Sequence, residues 1–220
     1  MNLLTRDSIL LRKGVKFLSK IYNLINENYI RIYLDITKQL SYESHCIAKK
    51  VGCVIVKNNS IISSGINGTP SGYYNCDDIF KVVNNKRYLH ENIFKQIKDR
   101  EVMEDVFKEK IGILDFKNWG MMECNNEEHS KWSSNYEIHA EINAINKLTI
   151  NQIDVKDCVL FVNYHPCENC AKTIISSGIS NIVIGNKGLY DREDKKDEII
   201  RAKKVIEFMK SNGVEVLETF

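Results

Sequence analysis

Apolar positions recur at helical spacing early in the chain, gather into short β-rich runs from residue 51, and return to helical spacing after residue 136. Ile9, Val15, Leu18, Ile21, Tyr22 and Ile25 predict an amphipathic helix over residues 8 to 26. Arg12, Lys13, Lys16 and Lys20 give it a basic outer face and interrupt the apolar run. A membrane-spanning helix needs about 20 mostly apolar residues, so this stretch is read as neither a span nor a signal peptide. Tyr29 to Leu40, with Ile32, Leu34 and Ile36, predicts a second helix ending near Ser41. From Val51 to Val56 and again at Ile61-Ile62 the residues are β-rich, and Asn58-Asn59 between them tolerates positive φ, which predicts an antiparallel hairpin. Gly65-Ile66-Asn67-Gly68-Thr69-Pro70-Ser71-Gly72 then marks a shaped loop.

Residues 73–128 carry the weakest pattern and are read as an insertion, with a charged helix from Tyr88 to Ile111 that turns Ile93, Ile97, Val102 and Val106 inward. Ile138, Ile142, Ile145 and Leu148 restore a helical stripe from about Glu137. Val159 to Val162 is a continuous apolar run, as expected of a strand covered on both faces. Pro166 suits the first turn of the next helix, and Gly178 suits its C-terminal cap. A strand at Asn181 to Gly185, a helix over 193–211 and a strand at Val214 to Leu217 complete the series. A hairpin followed by three helix–strand steps predicts an α/β fold, a three-layer α/β/α sandwich around a mixed, mostly parallel five-stranded sheet. The expected division is an N-terminal helical extension, 1–28, and one domain, 29–220, that contains the insertion.

Composition changes this picture little. With 43% hydrophobic and 27% charged residues and two prolines in 220, the chain is of ordinary globular type. A formal charge of +2 gives no polyanion-binding surface, so a nucleic-acid polymer is not the expected partner, while a small anionic ligand is compatible. Seven cysteines, an odd number without a recognisable leader, point to a reducing cytoplasm and to thiolate ligands for metal over disulfides.

The chemistry is concentrated between His139 and Cys170. His139-Ala140-Glu141 is followed by Pro166-Cys167-Glu168-Asn169-Cys170, the pattern of zinc-dependent deaminases. Cys167 and Cys170, three apart at a helix start, fall on one side of the first turn and can chelate one ion, and the helix N-terminus favours their thiolate form. His139 and Glu141, two apart, share a site only if their helix points its N-terminal end at the metal. Three protein ligands leave a tetrahedral position for water, whose pKa drops from 15.7 to about 7 on zinc. Glu141, a non-ligand, is then placed to carry the proton to the ring nitrogen and to the departing amine. The competing reading is a closed, non-catalytic zinc clip in an interaction module.

With these residues in view, the chain resembles the deoxycytidylate (dCMP) deaminases, and among them the T-even phage type. Ser41 to Asp77, His129-Ser130-Lys131-Trp132-Ser133-Ser134 running into Glu137-Ile138-His139-Ala140-Glu141, and Pro166 to Gly178 carry the resemblance. It implies a catalytic zinc on His139, Cys167 and Cys170 and a second, structural zinc on Cys46, Cys76, His129 and Glu137, where the alternative is that both cysteines are buried small hydrophobes. His45 is read as a bystander. It further implies nucleotide recognition by the Gly65-Ile66-Asn67-Gly68 segment, with Asn67 and Tyr190 near the substrate and dCTP or dTTP as effectors. The family's tyrosine stands as Ile66 here, which removes a ring that stacks on a base. Lys49, Lys50 and Lys147 are the candidate holders of the substrate phosphate. The implied activity is conversion of dCMP to dUMP and ammonia, feeding thymidylate synthesis, by a homo-oligomer, hexameric in the family. Another cytosine nucleotide such as dCTP or a modified dCMP is the alternative substrate.

Overall fold

The computed structural model describes residues 20–89, 123–185 and 195–219. Tyr190, most of the expected N-terminal helix, and the expected helix beyond Leu89 lie outside them. Helix α1 (Lys20–Leu24) leads into α2 (Glu27–Ser41), which starts where the Asn26 side chain accepts a hydrogen bond from the Asn28 N–H at 3.0 Å. Ile30, Tyr33, Thr37 and Ser41 form the buried face of α2, spaced by three or four residues as one face of a helix requires.

Strands β1 (Gly52–Lys57) and β2 (Ser60–Ile66) form the expected hairpin. Asn58 and Asn59 both take positive φ, 50° and 57°, the backbone of a type I′ turn. The register slips by one residue between Ile55 and Val56, a bulge that the alternation of residue types does not announce. Further along come α3 (Cys76–Ile79), β3 (Phe80–Val83), β4 (Lys86–Leu89), β5 (Glu123–Cys124) and α4 (Asn126–Tyr136). The last third contains α5 (Ala140–Ile150), β6 (Val159–Val162), α6 (Glu168–Ser177), β7 (Asn181–Gly185), α7 (Lys196–Ser211) and β8 (Glu215–Thr219).

The main sheet runs β2-β1-β6-β7-β8. β1 pairs antiparallel with both β2 and β6, while β6–β7 and β7–β8 are parallel, so four strands share a direction and β1 alone opposes them. Residues alternate between two cores. Cys53, Ile55, Leu160, Val162, Ile182 and Ile184 face α5, α6 and α7. Val54, Val56, Val159, Phe161 and Val183 face α1 and α2, where Ile21 and Ile25 are fully covered. The expected three-layer α/β/α sandwich with a mixed sheet is therefore what the chain forms.

Three local expectations are corrected. Tyr88 and Leu89 end strand β4, not begin a helix, and β3-β4-β5 form a small antiparallel sheet inside the insertion. Helix α5 begins at Ala140, because Glu137 terminates α4 and Ile138 is drawn into a bridge with Gly68. Pro166 precedes the cap of α6 instead of occupying its first turn, since Cys167 is the cap. Gly178 does close that helix, in the left-handed conformation at φ 85°.

Candidate active site

Two helix N-termini converge on the residues of the deaminase pattern. His139 caps α5 and Cys167 caps α6, both with extended backbone, so their side chains project past the helix ends. His139 Nδ1 lies 3.4 Å from Cys167 Sγ and 3.3 Å from Cys170 Sγ. The ligand atoms of all three lie within 4.8 Å of one another. Glu141, one residue into α5, is buried, at 3% exposure, and joins His139 and Cys167 in lining a cavity of about 560 Å³. The N-terminal end of α5 thus points into the site, the condition under which His139 and Glu141 serve it together.

The donor set suits a divalent cation. Cys167 is held down to about 3, first by the hydrogen bond with Cys170 and then by His139, against the cost of burial. The Cys170 thiol is pushed up by the same bond, then by burial, because two adjacent bare thiolates repel. A cation relieves that repulsion and accepts both sulfurs as thiolates. Pairing with Cys167 raises His139, and burial raises Glu141 above the ordinary carboxyl range.

A second set is assembled across the insertion. Cys46 follows α2, Cys76 opens α3, His129 lies in α4, and their ligand atoms fall within 4.8 Å of one another. Cys76 Sγ is 3.2 Å from His129 Nε2. Cys46 is held down to about 3, mainly by its bond with Cys76, and Cys76 is pushed up by that same bond. Glu137 stands beside this set: Ser133 donates to its Oε2 at 2.5 Å, and its buried Oε1 finds no hydrogen-bond partner among the described residues. Burial, then the Cys46 charge, pushes its carboxyl to about 7. Two thiols and an imidazole are donors of the kind that hold a metal ion, and Glu137, with its unpaired buried oxygen, stands beside these three without belonging to the group whose ligand atoms lie within 4.8 Å of one another. His45 points instead to Asp77, 2.9 Å away at the surface.

The other expected site residues separate by position. Gly65 and Ile66 belong to strand β2, not to a loop. A Cβ on Gly65 would lie 2.1 Å from the Ala140 carbonyl oxygen, so glycine here lets β2 meet the first turn of α5. Gly68 exchanges two backbone hydrogen bonds with Ile138, 3.1 and 2.8 Å, which fixes the link leading to His139. Asn67 lines the cavity, but its side chain is a buried bracket. Its Oδ1 accepts from Ser44 Oγ at 2.7 Å and from the Val51 N–H at 2.8 Å, and its Nδ2 donates to the Lys49 carbonyl at 2.9 Å.

Of the three lysines, Lys50 donates to the Tyr42 and Ser44 carbonyls and Lys147 to the Ser64 carbonyl, while Lys49 reaches the cavity wall. There Lys49 Nζ and the Tyr164 hydroxyl both donate to Glu198 Oε1. Neither Tyr164, His165 nor Glu198 follows from the spacing of the sequence, because Lys49 and Glu198 are 149 positions apart and no short motif links them.

Residues 26–186 match the family of the cytidine and deoxycytidylate deaminase zinc-binding region. The chain belongs to this deaminase family. The deoxycytidylate deaminase of Enterobacteria phage T4 is 36% identical over 170 residues, covering 76% of this chain and 82% of its own. That of Enterobacteria phage T2 is 34% identical over 169 residues, covering 76% and 85%. The deaminase fold is shared with a cyanophage S-TIM5 dCMP deaminase, whose apo crystal structure superposes with a TM-score of 0.51 at 22% identity, over 89% of this chain and all of that one. The same cyanophage protein in complex with dCMP and dUMP superposes with a TM-score of 0.50. As a deaminase of this family the chain is an enzyme, and its His/Cys set is of the kind that holds zinc.

Proposed function

We propose that the protein deaminates dCMP hydrolytically to dUMP and ammonia, the step that supplies the uracil nucleotide methylated in thymidylate synthesis. The observation that carries this reading is the buried Glu141 beside His139, Cys167 and Cys170 at one cavity, where two helix ends meet. The phage relatives named deoxycytidylate deaminase, similar over most of their length, support the substrate. A cyanophage protein of the same fold has been crystallised with dCMP and dUMP.

His139, Cys167 and Cys170 would hold the catalytic zinc, and Cys46, Cys76, His129 and Glu137 a second, structural one. Zinc at the first site supplies Lewis acidity, which makes water a competent nucleophile at neutral pH. Glu141, buried beside the His139, Cys167 and Cys170 set, takes the proton of the attacking water and passes it to cytosine N3. It then takes the second proton of that water from the hydroxyl now on C4 and delivers it to the amine as the C4–N bond breaks. The oxygen of water ends on C4, and ammonia carries away the nitrogen. The positive ends of the α5 and α6 dipoles favour thiolate at Cys167 and Cys170. Asn67 braces the wall formed by residues 44 to 51, and Lys49 offers a cation to the substrate phosphate. Tyr190, which lies outside the described residues, remains a candidate substrate-binding residue by family resemblance alone. Family resemblance alone supports a hexamer and control by dCTP or dTTP.

Glu141→Gln tests the reading. It should retain metal at the His139 site and lower kcat on dCMP by about 10²–10⁴-fold, the range for loss of a general acid–base. Unchanged turnover at full zinc occupancy would instead make the metal part of a non-catalytic module.

A further inference from the structure

Among the other described carboxylates in the wall of the same cavity, Glu198 is the one paired to a lysine and a tyrosine hydroxyl at once. Glu198, in the first turn of α7, is 18% exposed. Its Oε1 accepts from both Lys49 Nζ and the Tyr164 hydroxyl, and its Oε2 lies 3.4 Å from Lys195 Nζ. Lys49 Nζ also stands 4.7 Å above the Tyr164 ring. Stacked on that ring at 4.4 Å is His165, whose Nε2 is 4.0 Å from Glu198 Oε1 and whose buried Nδ1 finds no partner among the described residues. Burial alone would raise Glu198, yet the bonds from Lys49 and Tyr164 outweigh it and hold the carboxyl at about 2.

These donors form a ready anion site, and the free protein fills it with its own side chain. An ion pair whose lysine is 53% exposed adds little to stability, so its position on the cavity matters more than its strength. Carboxylates and phosphates accept the same short, charge-assisted hydrogen bonds. A phosphomonoester brings three oxygens and more charge than one carboxylate, and Lys195 lies close enough to keep a displaced Glu198 paired.

We propose that Glu198 is an internal substitute for the substrate's phosphate: its carboxylate occupies the Lys49 and Tyr164 donors until an incoming phosphomonoester takes them over, and this competition lowers the preference for nucleotide over nucleoside below what the bare donors would give. The inference rests on the nucleotide reading of the cavity. It differs in sign from a role in which Glu198 merely orients Lys49. As a competitor, Glu198 weakens anion binding, whereas as a support it strengthens it.

The test uses the zinc-loaded full chain and two readouts. Calorimetry with inorganic phosphate measures anion binding without turnover, and kcat/KM for dCMP divided by kcat/KM for deoxycytidine measures phosphate recognition. Glu198→Gln should bind phosphate about threefold more tightly and raise the ratio by a similar factor, the scale of a partly exposed charge pair. Lys49→Gln should lower the ratio roughly tenfold, as loss of a hydrogen bond to a charged group does. Weaker or unchanged phosphate binding in Glu198→Gln overturns the proposal. If that variant does not fold, an unchanged ratio in Lys49→Gln overturns it alone. Tighter phosphate binding in a protein that deaminates neither compound would leave the exchange standing and remove the dCMP reading.

Discussion

Gly65 carries no side chain because the backbone of α5 passes through the space a Cβ would fill, 2.1 Å from the Ala140 carbonyl oxygen and 2.7 Å from the Ala144 nitrogen. Both contacts are backbone, so they yield only if the helix moves. Gly65→Ala should destabilise the fold by about 1–3 kcal/mol, measured by denaturant unfolding, and reduce turnover by shifting His139 and Glu141. A variant of unchanged stability would show that β2 and α5 are not so closely packed. Asn67→Ala should cost about 2 kcal/mol, because it strips the Val51 N–H of its acceptor and the Lys49 carbonyl of its donor in a buried wall, while the Ser44 hydroxyl keeps the backbone carbonyl of residue 67. Lost activity at unchanged stability would point to a substrate contact alone. These two residues show where the sequence was hard to read. His139, Glu141, Cys167 and Cys170 are legible because their spacing is local to two helix starts. Gly65 and Asn67 look like loop residues because the groups that define them, α5 for one and residues 44 to 51 for the other, lie far along the chain.

The same division holds for whole elements. The Asn58-Asn59 turn between two β-rich runs was sufficient to predict β1 and β2. Asn84-Asn85 is an equivalent pair, at φ 50° and 62°, and makes the β3–β4 hairpin. It escapes notice because its flanking residues, Lys81, Lys86 and Arg87 among them, mask the β pattern, and the strands are four residues each. The insertion compensates with a compact cluster of Cys46, Cys76, Ile79, Phe80, Leu89, Cys124 and Trp132. So small a core gains from a metal that binds only the folded arrangement. Cys76→Ser should therefore lower the zinc content by one ion per chain, leave the His139 site loaded, and reduce thermal stability, read by metal analysis and melting. Loss of both ions, or of neither, would contradict a separate structural site. The element boundary between α4 and α5 also gains meaning: Glu137 ends one helix and His139 caps the next, so two residues of a single extended link face different donor sets.

At the scale of the molecule, the layer order followed from the succession of hairpin, helices and buried runs, because β6 and β7 are apolar at nearly every position and demand cover on both faces. The reversed direction of β1 follows from the hairpin, and the parallel pairs from the helical crossovers. What the linear pattern lacked was the meeting of distant walls: Lys49 from the segment before β1, Tyr164 and His165 after β6, and Glu198 at the start of α7. Among the described residues, no helix is long and apolar enough to cross a membrane. The central claim is that this cavity deaminates a cytosine deoxynucleotide with bound zinc, and the direct measurement is ammonia release with dCMP, CMP, dCTP and deoxycytidine as substrates, before and after chelation and zinc reloading. The account predicts fastest release from dCMP, loss of activity on chelation and recovery with zinc. No release from dCMP by fully zinc-loaded protein at neutral pH would contradict it.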